Sequence, residues 1–207
     1  MRRLAATFVL LTFAGCGAAT APESVKLDSV QLVEALQEGG LVVYLRHAAT
    51  DRLQEETNIS NLENCEGQRN LTAHGLEQAR VIGRAFRALE IPVGGVLSSE
   101  YCRTRQTAEL AFAHVDLEPR LTGFPNKGAP DYDERLRQTR ELLARIPAAG
   151  DNTILVGHVK NIEAAARISI EEGELAVFEP LGATRFRDLG RIPAEAWPQL
   201  VRELGPA

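Results

Sequence analysis

Three short apolar runs, each followed by a polar turn and then by a helical pattern, constrain the fold of this chain most strongly. The runs are Leu41–Leu45, Gly94–Leu97 and Asn152–Val156. Short apolar runs bounded by turn residues are typical of buried strands. Strands that alternate with helices predict a parallel sheet with helices on both faces. We therefore expect an α/β fold of three layers, α/β/α, with a mostly parallel central sheet.

Amphipathic segments surround these strands. Asp28–Glu38 and the segment after Thr72 each begin at a residue that suits a helix N-cap. Further helices are predicted after Ser98-Ser99, either of which could cap its helix, and over Tyr132–Ile146, Val159–Ile168 and Pro193–Leu204. Two edge strands are predicted over Glu174–Phe178 and Ala183–Leu189.

Each of the three runs is followed by residues that suit an anionic ligand. These are Arg46 and His47 after the first run, Ser98, Ser99 and Arg103 after the second, and Gly157 and His158 after the third. Because parallel strands end at one edge of the sheet, where ligands bind, we expect these residues to converge. Guanidinium groups match phosphoryl oxygens, and a neutral imidazole is a competent nucleophile near pH 7. The set predicts attack on a phosphoryl group.

The same residues carry a resemblance to a known family. Arg46–Thr50 (RHAAT) resembles the RHGxT signature of the histidine phosphatase superfamily, and Ser98–Ala108 (SSEYCRTRQTA) resembles its SSxxxRxxxTA segment. Val156–His158 resembles the strand that carries the second histidine of that family. The resemblance covers about residues 41–189. It implies a phosphoglycerate-mutase-like fold, and within branch 1 the phosphohistidine-phosphatase-like members are the most similar.

The resemblance also implies a role for each residue. His47 is expected to be the nucleophile that forms a phosphohistidine, with Arg46 and Arg103 holding the phosphoryl oxygens and His158 completing the pocket. The residues expected to contact or support the substrate are Thr50, Ser98, Ser99 and Gly157. No metal and no organic cofactor is implied. The expected partner is a small phosphorylated substrate, and the formal net charge of −5 argues against non-specific binding of nucleic acid.

The general acid is the residue that the motifs do not identify. One branch of the family has Asp directly after the second histidine, where this chain has Val159, and the mutase-like members have L-x-E where Leu121 is followed by Thr122-Gly123. The long polar loop Asp51–Asn70 is expected to form a wall of the site. The candidate acids are Asp51, Glu55 and Glu118. Alternatively, the leaving group needs little protonation, as in a phosphoramidate.

Two functions follow from these residues. The first is an enzyme, a phosphoric-monoester hydrolase whose substrates include sugar phosphates of the cell envelope. The second is a phosphate-recognising binding protein that turns over little substrate because the general acid is missing.

The N-terminus predicts an export signal. Met1-Arg2-Arg3 is followed by the apolar run Leu4–Ala14, which is shorter than a membrane span. Phe13–Cys16 resembles the lipobox of bacterial lipoproteins, which implies a signal peptide over residues 1–15 and a lipidated Cys16. Residues 16–27 then form a tether, and 28–207 form the phosphatase domain. The expected location is the cell envelope, facing the periplasm, with the outer membrane favoured in a Gram-negative source. The alternative is an ordinary cleaved signal with a coincidental cysteine.

Two further cysteines, Cys65 and Cys102, remain in the domain. An even number of cysteines in an exported protein favours a disulfide. The alternative is two unpaired, buried thiols.

Overall fold

A computed structural model describes residues 26–206 of the chain. In this range the strands are β1 Val42–Arg46, β2 Val93–Ser98, β3 Asp116–Leu117, β4 Asn152–Gly157, β5 Leu175–Pro180 and β6 Phe186–Ile192. The α-helices are α1 Ser29–Glu38, α2 Ala73–Ala88, α3 Cys102–Phe112, α4 Tyr132–Leu143, α5 Val159–Ala166 and α6 Trp197–Leu204. The predicted signal peptide and Cys16 lie outside the described residues.

The strands form one sheet in the order β3-β2-β4-β1-β5-β6. β1, β2, β3 and β4 are parallel to their neighbours in this group, whereas β5 and β6 are antiparallel. The predicted α/β fold with a mostly parallel sheet is therefore confirmed. The prediction of two edge strands is wrong for β5, which lies between β1 and β6 and whose first four residues are all buried.

Side chains of β1 alternate between two hydrophobic cores, one on each face of the sheet. Val43 and Leu45 pack in the core formed with α1, α2, α3 and α6. Val42 and Tyr44 pack in the core formed with α4 and α5. This alternation is the period of two that a strand imposes on its side chains. Because both faces of β1 are covered, its sequence is a continuous apolar run, as in other parallel sheets.

Helix starts follow the predicted caps in two cases and differ in a third. The Asp28 side chain accepts from the Gln31 backbone N–H, and the Thr72 hydroxyl accepts from that of Gly75. The prediction that Ser98 or Ser99 caps α3 is wrong, because α3 begins only after Tyr101, which makes no side-chain cap. Both serine hydroxyls are instead engaged beside the end of β2.

The chain enters the fold slightly before the predicted domain boundary. The Leu27 N–H donates to the Leu189 carbonyl of β6 at 2.8 Å, and Lys26 forms an ion pair with Asp188. Within residues 26–206, no helix is both long and apolar enough to cross a bilayer.

Residues 51–70 form a loop whose one helical segment is the 3₁₀ turn Cys65–Gly67. A disulfide joins Cys65 in this turn to Cys102, the first residue of α3. The loop is therefore cross-linked to the helix that carries Arg103.

Reducing this disulfide is expected to destabilise the domain. The bridge closes a loop with a sequence separation of 37 residues, which corresponds to about 4 kcal/mol of unfolding free energy in the chain-entropy model. Urea unfolding with and without dithiothreitol measures the difference. The Cys65→Ser/Cys102→Ser variant is the control and should unfold at the same urea concentration in both conditions. An unchanged midpoint for the reduced wild type would contradict the prediction.

Candidate active site

The carboxyl ends of β1, β2 and β4 meet at one edge of the sheet. Arg46 is paired in register with Gly157, and Ser98 with Val156. A Cβ at residue 157 would overlap the hydroxyl oxygen of Tyr44, so the close packing of β4 on β1 requires glycine there. The three sequence segments that follow these strands are therefore brought together, as parallel strands dictate.

His47 is buried, with 2% of its surface exposed, directly after β1. Its backbone N–H donates to the Gly157 carbonyl at 3.1 Å, which fixes the turn. The ring Nδ1 lies 3.0 Å from the Ala48 carbonyl oxygen. A carbonyl oxygen only accepts hydrogen bonds, so Nδ1 carries the proton and Nε2 keeps its lone pair. The tautomer is the one that a nucleophilic Nε2 requires.

His158 lies beside His47, with ring centroids 5.5 Å apart. Its Nε2 is 2.9 Å from the Ser99 hydroxyl oxygen, and its backbone carbonyl accepts from the Tyr44 hydroxyl at 2.9 Å. The Tyr101 ring packs edge-on against its imidazole. Ser99 and Tyr44 therefore orient the second histidine from two sides.

Two guanidinium groups belong to the same cluster. Arg103 is only 6% exposed, and its guanidinium carbon lies 4.3 Å from the centre of the Tyr101 ring. Its Nη1 donates to Glu56 Oε1 at 2.7 Å. Arg46 donates from Nη1 to the Ile170 carbonyl at 2.8 Å. Each guanidinium is held by a neighbour outside the motifs, so its position is fixed by the fold.

Glu172 is a functional neighbour that the sequence patterns do not reveal. Its Oε1 accepts from the Thr50 hydroxyl at 2.8 Å and lies 3.6 Å from Arg46 Nη2. Burial opposes ionisation of this carboxyl, but the hydrogen bonds from Thr50 and the charge of Arg46 hold its pKa below the ordinary value. Thr50 thus supports the loop after His47 by binding a carboxylate that also faces Arg46.

A third guanidinium, that of Arg69, lies near the site. Its charge contributes to lowering the pKa of Arg103 and of His158. The buried Nε–H groups of Arg46, Arg69 and Arg103 have no hydrogen-bond partner among residues 26–206. Buried donors favour an acceptor, and positively charged ones favour an anion. The cluster is therefore suited to a phosphoryl group.

Both histidines are held neutral by their surroundings. Burial is the largest cause of the low pKa of His47, which is lowered from 6.5 to about 3, and the charges of Arg103 and Arg46 add to the effect. Burial and then the Arg103 charge also lower the pKa of His158 well below its ordinary value. An uncharged His47 keeps its nucleophilic lone pair over the whole physiological pH range.

The same pKa shift predicts a loss of stability in acid. Above pH 6.5 His47 is neutral in both states; between pH 6.5 and 3 the unfolded chain binds a proton that the folded chain does not. The free energy of unfolding therefore falls as the pH falls, by about 4 kcal/mol at pH 3 from this group. Denaturant titrations at several pH values should show a smaller loss for His47→Asn. Parallel curves for the two proteins would contradict the prediction.

Of the remaining residues predicted for the site, Ser99 contacts a catalytic candidate, whereas Ser98, Asp51, Glu55 and Glu118 have other surroundings. The Ser98 hydroxyl donates to the Ser99 carbonyl in the interior, whereas Ser99 reaches His158. The Asp51 and Glu55 side chains are exposed, and within residues 26–206 no hydrogen bond joins either of them to the two arginines and two histidines. Glu118 binds the Arg120 guanidinium through both carboxylate oxygens, which lowers its pKa. None of these three carboxylates takes the place that Glu56 occupies beside Arg103.

No group of three or more His, Cys, Asp or Glu side chains within residues 26–206 is arranged to hold a metal ion.

Comparison with known proteins bears on the family and on the fold. The model of the histidine phosphatase superfamily (branch 1) matches residues 42–124, which include Arg46, His47 and Arg103. This match confirms the resemblance that the sequence motifs predict. A search of curated protein sequences found no match.

Three solved structures illustrate the similarity of fold. TTHB049 from Thermus thermophilus is 20% identical, with a TM-score of 0.53 over 74% of this chain and 99% of its own. Phosphoglycerate mutase from the same organism is 21% identical, with a TM-score of 0.51 over 73% and 98%. The protein histidine phosphatase SixA, in complex with tungstate, is 15% identical, with a TM-score of 0.50 over 74% and 97%. The similarity is one of fold, and it confirms the phosphoglycerate-mutase-like architecture.

Proposed function

Because residues 42–124 match branch 1 of the histidine phosphatase superfamily, we propose that this chain is a phosphatase that hydrolyses phosphomonoesters through a phosphohistidine on His47. The observation that carries the proposal is the state of the His47 ring. Its Nδ1 proton is bound by the Ala48 carbonyl, its pKa is lowered to about 3, and two guanidinium groups lie beside it. A neutral, oriented imidazole next to a site for an anion is the arrangement that nucleophilic attack on phosphorus requires.

The reaction consists of two in-line displacements. In the first, the His47 Nε2 lone pair attacks phosphorus, the bond to the leaving oxygen breaks, and that oxygen takes the electron pair and a proton. In the second, water attacks phosphorus, the N–P bond breaks, and inorganic phosphate is released with His47 restored. Arg46 and Arg103 neutralise the non-bridging oxygens as charge moves onto them. The Nδ1–H bond to the Ala48 carbonyl supports the positive charge that the ring gains.

The substrates expected are small phosphorylated molecules, with sugar phosphates of the cell envelope favoured by the predicted export signal. We propose this class from the predicted location of the protein. We expect the site to accept more than one leaving group, because the residues described above would engage the phosphoryl oxygens.

Phosphate release from a substrate panel tests the proposal. The panel consists of an aryl phosphate, several sugar phosphates, phosphoserine and a phosphoramidate, assayed with the detergent-solubilised full chain. Steady-state turnover of any ester, together with an acid-labile and base-stable phosphoprotein, is the expected result. The alternative, a phosphate-binding protein with little turnover, predicts that phosphate or vanadate raises the melting temperature while no panel member is hydrolysed.

Attachment to the envelope is a separate part of the proposal. The segment Phe13–Cys16 supports lipidation of Cys16, and one buried acyl chain alone anchors only marginally, so several chains are expected. The Cys16→Ser variant should leave the membrane fraction and appear in the soluble fraction. Unchanged association with the membrane would argue against the anchor and would leave the proposed chemistry untouched.

A further inference from the structure

The loop of residues 51–70 brings one carboxylate to the guanidinium that is expected to hold the phosphoryl group. Glu56 Oε1 lies 2.7 Å from Arg103 Nη1. The Arg103 side chain is only 7% exposed, whereas the Glu56 side chain is 32% exposed. Glu56 therefore lies between the buried Arg103 guanidinium and the solvent.

Backbone contacts hold the Glu56 segment in place. The two residues after it, Thr57 and Asn58, both donate their N–H groups to the Gly67 carbonyl, at 2.9 and 3.1 Å. Gly67 belongs to the same short turn as Cys65, and Cys65 is disulfide-bonded to Cys102. A loop that is otherwise polar and irregular is thus tied to the residue directly before Arg103.

A buried amide makes a second tie between the same two segments. Gln68, which is fully buried, accepts at its side-chain oxygen from the Cys102 N–H at 2.9 Å. The same amide donates to the Leu62 carbonyl within the loop at 2.9 Å. Glu56 and Arg103 are therefore carried by two segments joined by a covalent bond and by a buried hydrogen bond, and we expect their separation to be well defined.

Two other carboxylates, those of Glu172 and Glu118, are hydrogen-bonded to groups other than Arg103. Glu172 accepts from Thr50 with both oxygens and faces Arg46, whereas Glu56 contacts Arg103. Glu118 is bound by the Arg120 guanidinium. Among residues 26–206 the Glu56 carboxylate is hydrogen-bonded by Arg103 alone, and Arg103 is itself the group that a phosphoryl anion would engage.

From this geometry we infer that Glu56 is the general acid of the reaction, an inference that rests on the proposed phosphatase function. When a phosphoryl group binds, its oxygens take donors of Arg103, and the Glu56 carboxyl is left beside an anion. In the proposed step Glu56 acts as the neutral carboxylic acid. As the bond between phosphorus and the leaving oxygen breaks, Glu56 gives its proton to that oxygen. The resulting carboxylate takes a proton from the water that attacks the phosphohistidine, which restores the acid.

Leaving-group dependence separates a proton donor from a residue that only supports the site. We compare wild type, Glu56→Gln and Glu55→Gln on two substrates, dinitrophenyl phosphate and an alkyl phosphate such as glycerol phosphate. Dinitrophenolate leaves without protonation, whereas an alkoxide does not. For Glu56→Gln we expect kcat to fall by about 10²- to 10³-fold on the alkyl phosphate and by less than about 5-fold on the aryl phosphate. Glu55→Gln, the exposed neighbour in the same loop, should match wild type on both.

Glu56→Asp provides a second variant that keeps a carboxyl group. It is expected to turn over the alkyl phosphate faster than Glu56→Gln, and an increase of melting temperature by vanadate in each variant shows that the site has folded. Equal losses on both substrates would overturn the inference, because Glu56 would then act only by positioning Arg103. Unchanged rates on both would also overturn it. A wild-type protein inactive on both substrates, in contrast, overturns the proposed phosphatase itself.

Discussion

The His47→Asn variant is expected to lose phosphate release by a factor on the order of 10⁴ or more in kcat. Asparagine can still donate from its side-chain amide towards the Ala48 carbonyl, so the turn after β1 keeps its hydrogen bond. It has no atom equivalent to the Nε2 lone pair, however, and no phosphoryl-enzyme can form. The loss therefore reports the covalent step itself. Steady-state phosphate release and acid-labile labelling of the protein are the two measurements.

His74→Asn is the matched control for this variant. His74 is exposed in the first turn of α2, and its replacement should leave both turnover and labelling unchanged. If His47→Asn retained wild-type turnover, the phosphohistidine mechanism would be wrong whatever the substrate. The variant should still bind phosphate, because both arginines and His158 remain.

Arg46, His47, Arg103 and His158 could be found from the sequence because each lies at the end of a strand or shortly after it. A buried strand is visible as a local apolar run, and the sheet aligns the ends of parallel strands without any further information. Arg46, His47 and His158 therefore needed only their own neighbours in sequence to be placed. Arg103 needed one more step, because it lies in the first turn of the helix that follows β2 after three intervening residues. For these residues the local sequence pattern is enough to predict the position in the fold.

Glu56, Arg69 and Glu172 could not be placed in the same way. Glu172 reaches Thr50 across 122 residues of sequence, and Glu56 reaches Arg103 across 47. Both contacts depend on irregular segments, which have no period from which a direction can be read. The sequence indicated a wall of the site in the 51–70 loop, yet nothing local distinguished Glu56 from the exposed Glu55 beside it.

The start of α3 is a further case in which local preference was overridden. Serine before a helical pattern favours an N-cap, but Ser99 binds His158, and the chain makes an additional turn before Tyr101. The Thr104 hydroxyl oxygen, in the first turn of α3, lies 2.9 Å from the Ser99 carbonyl oxygen and 2.7 Å from that of Tyr101, so both carbonyls are acceptors for its one proton. The hydrogen bond between Ser99 and His158 is formed in place of the helix cap that serine favours, and such departures are common where function constrains the backbone.

Replacing Arg103 by lysine is expected to lower kcat/KM by about 10²- to 10³-fold, although the positive charge is retained. The Arg103 guanidinium lies over the Tyr101 ring and binds Glu56 through Nη1. This leaves the rest of its planar fork for phosphoryl oxygens. An ammonium group offers a single point charge, so it cannot keep the stacking, the carboxylate and two phosphoryl oxygens at once. Because the charge on those oxygens is redistributed during the reaction, most of the loss should appear in kcat.

Arg105→Lys is the control, because Arg105 lies two residues further along α3 and its Nη2 lies beside the sulfur atoms of Cys65 and Cys102. It should retain wild-type kcat/KM. The vanadate affinity of Arg103→Lys should fall together with kcat, since vanadate imitates the five-coordinate phosphorus that the fork is expected to hold. If Arg103→Lys kept both its kcat/KM and its vanadate affinity, another residue would have to supply the second guanidinium. Arg69, whose charge lowers the pKa of Arg103, would be that residue, and Arg69→Lys should then cause the loss expected here for Arg103→Lys.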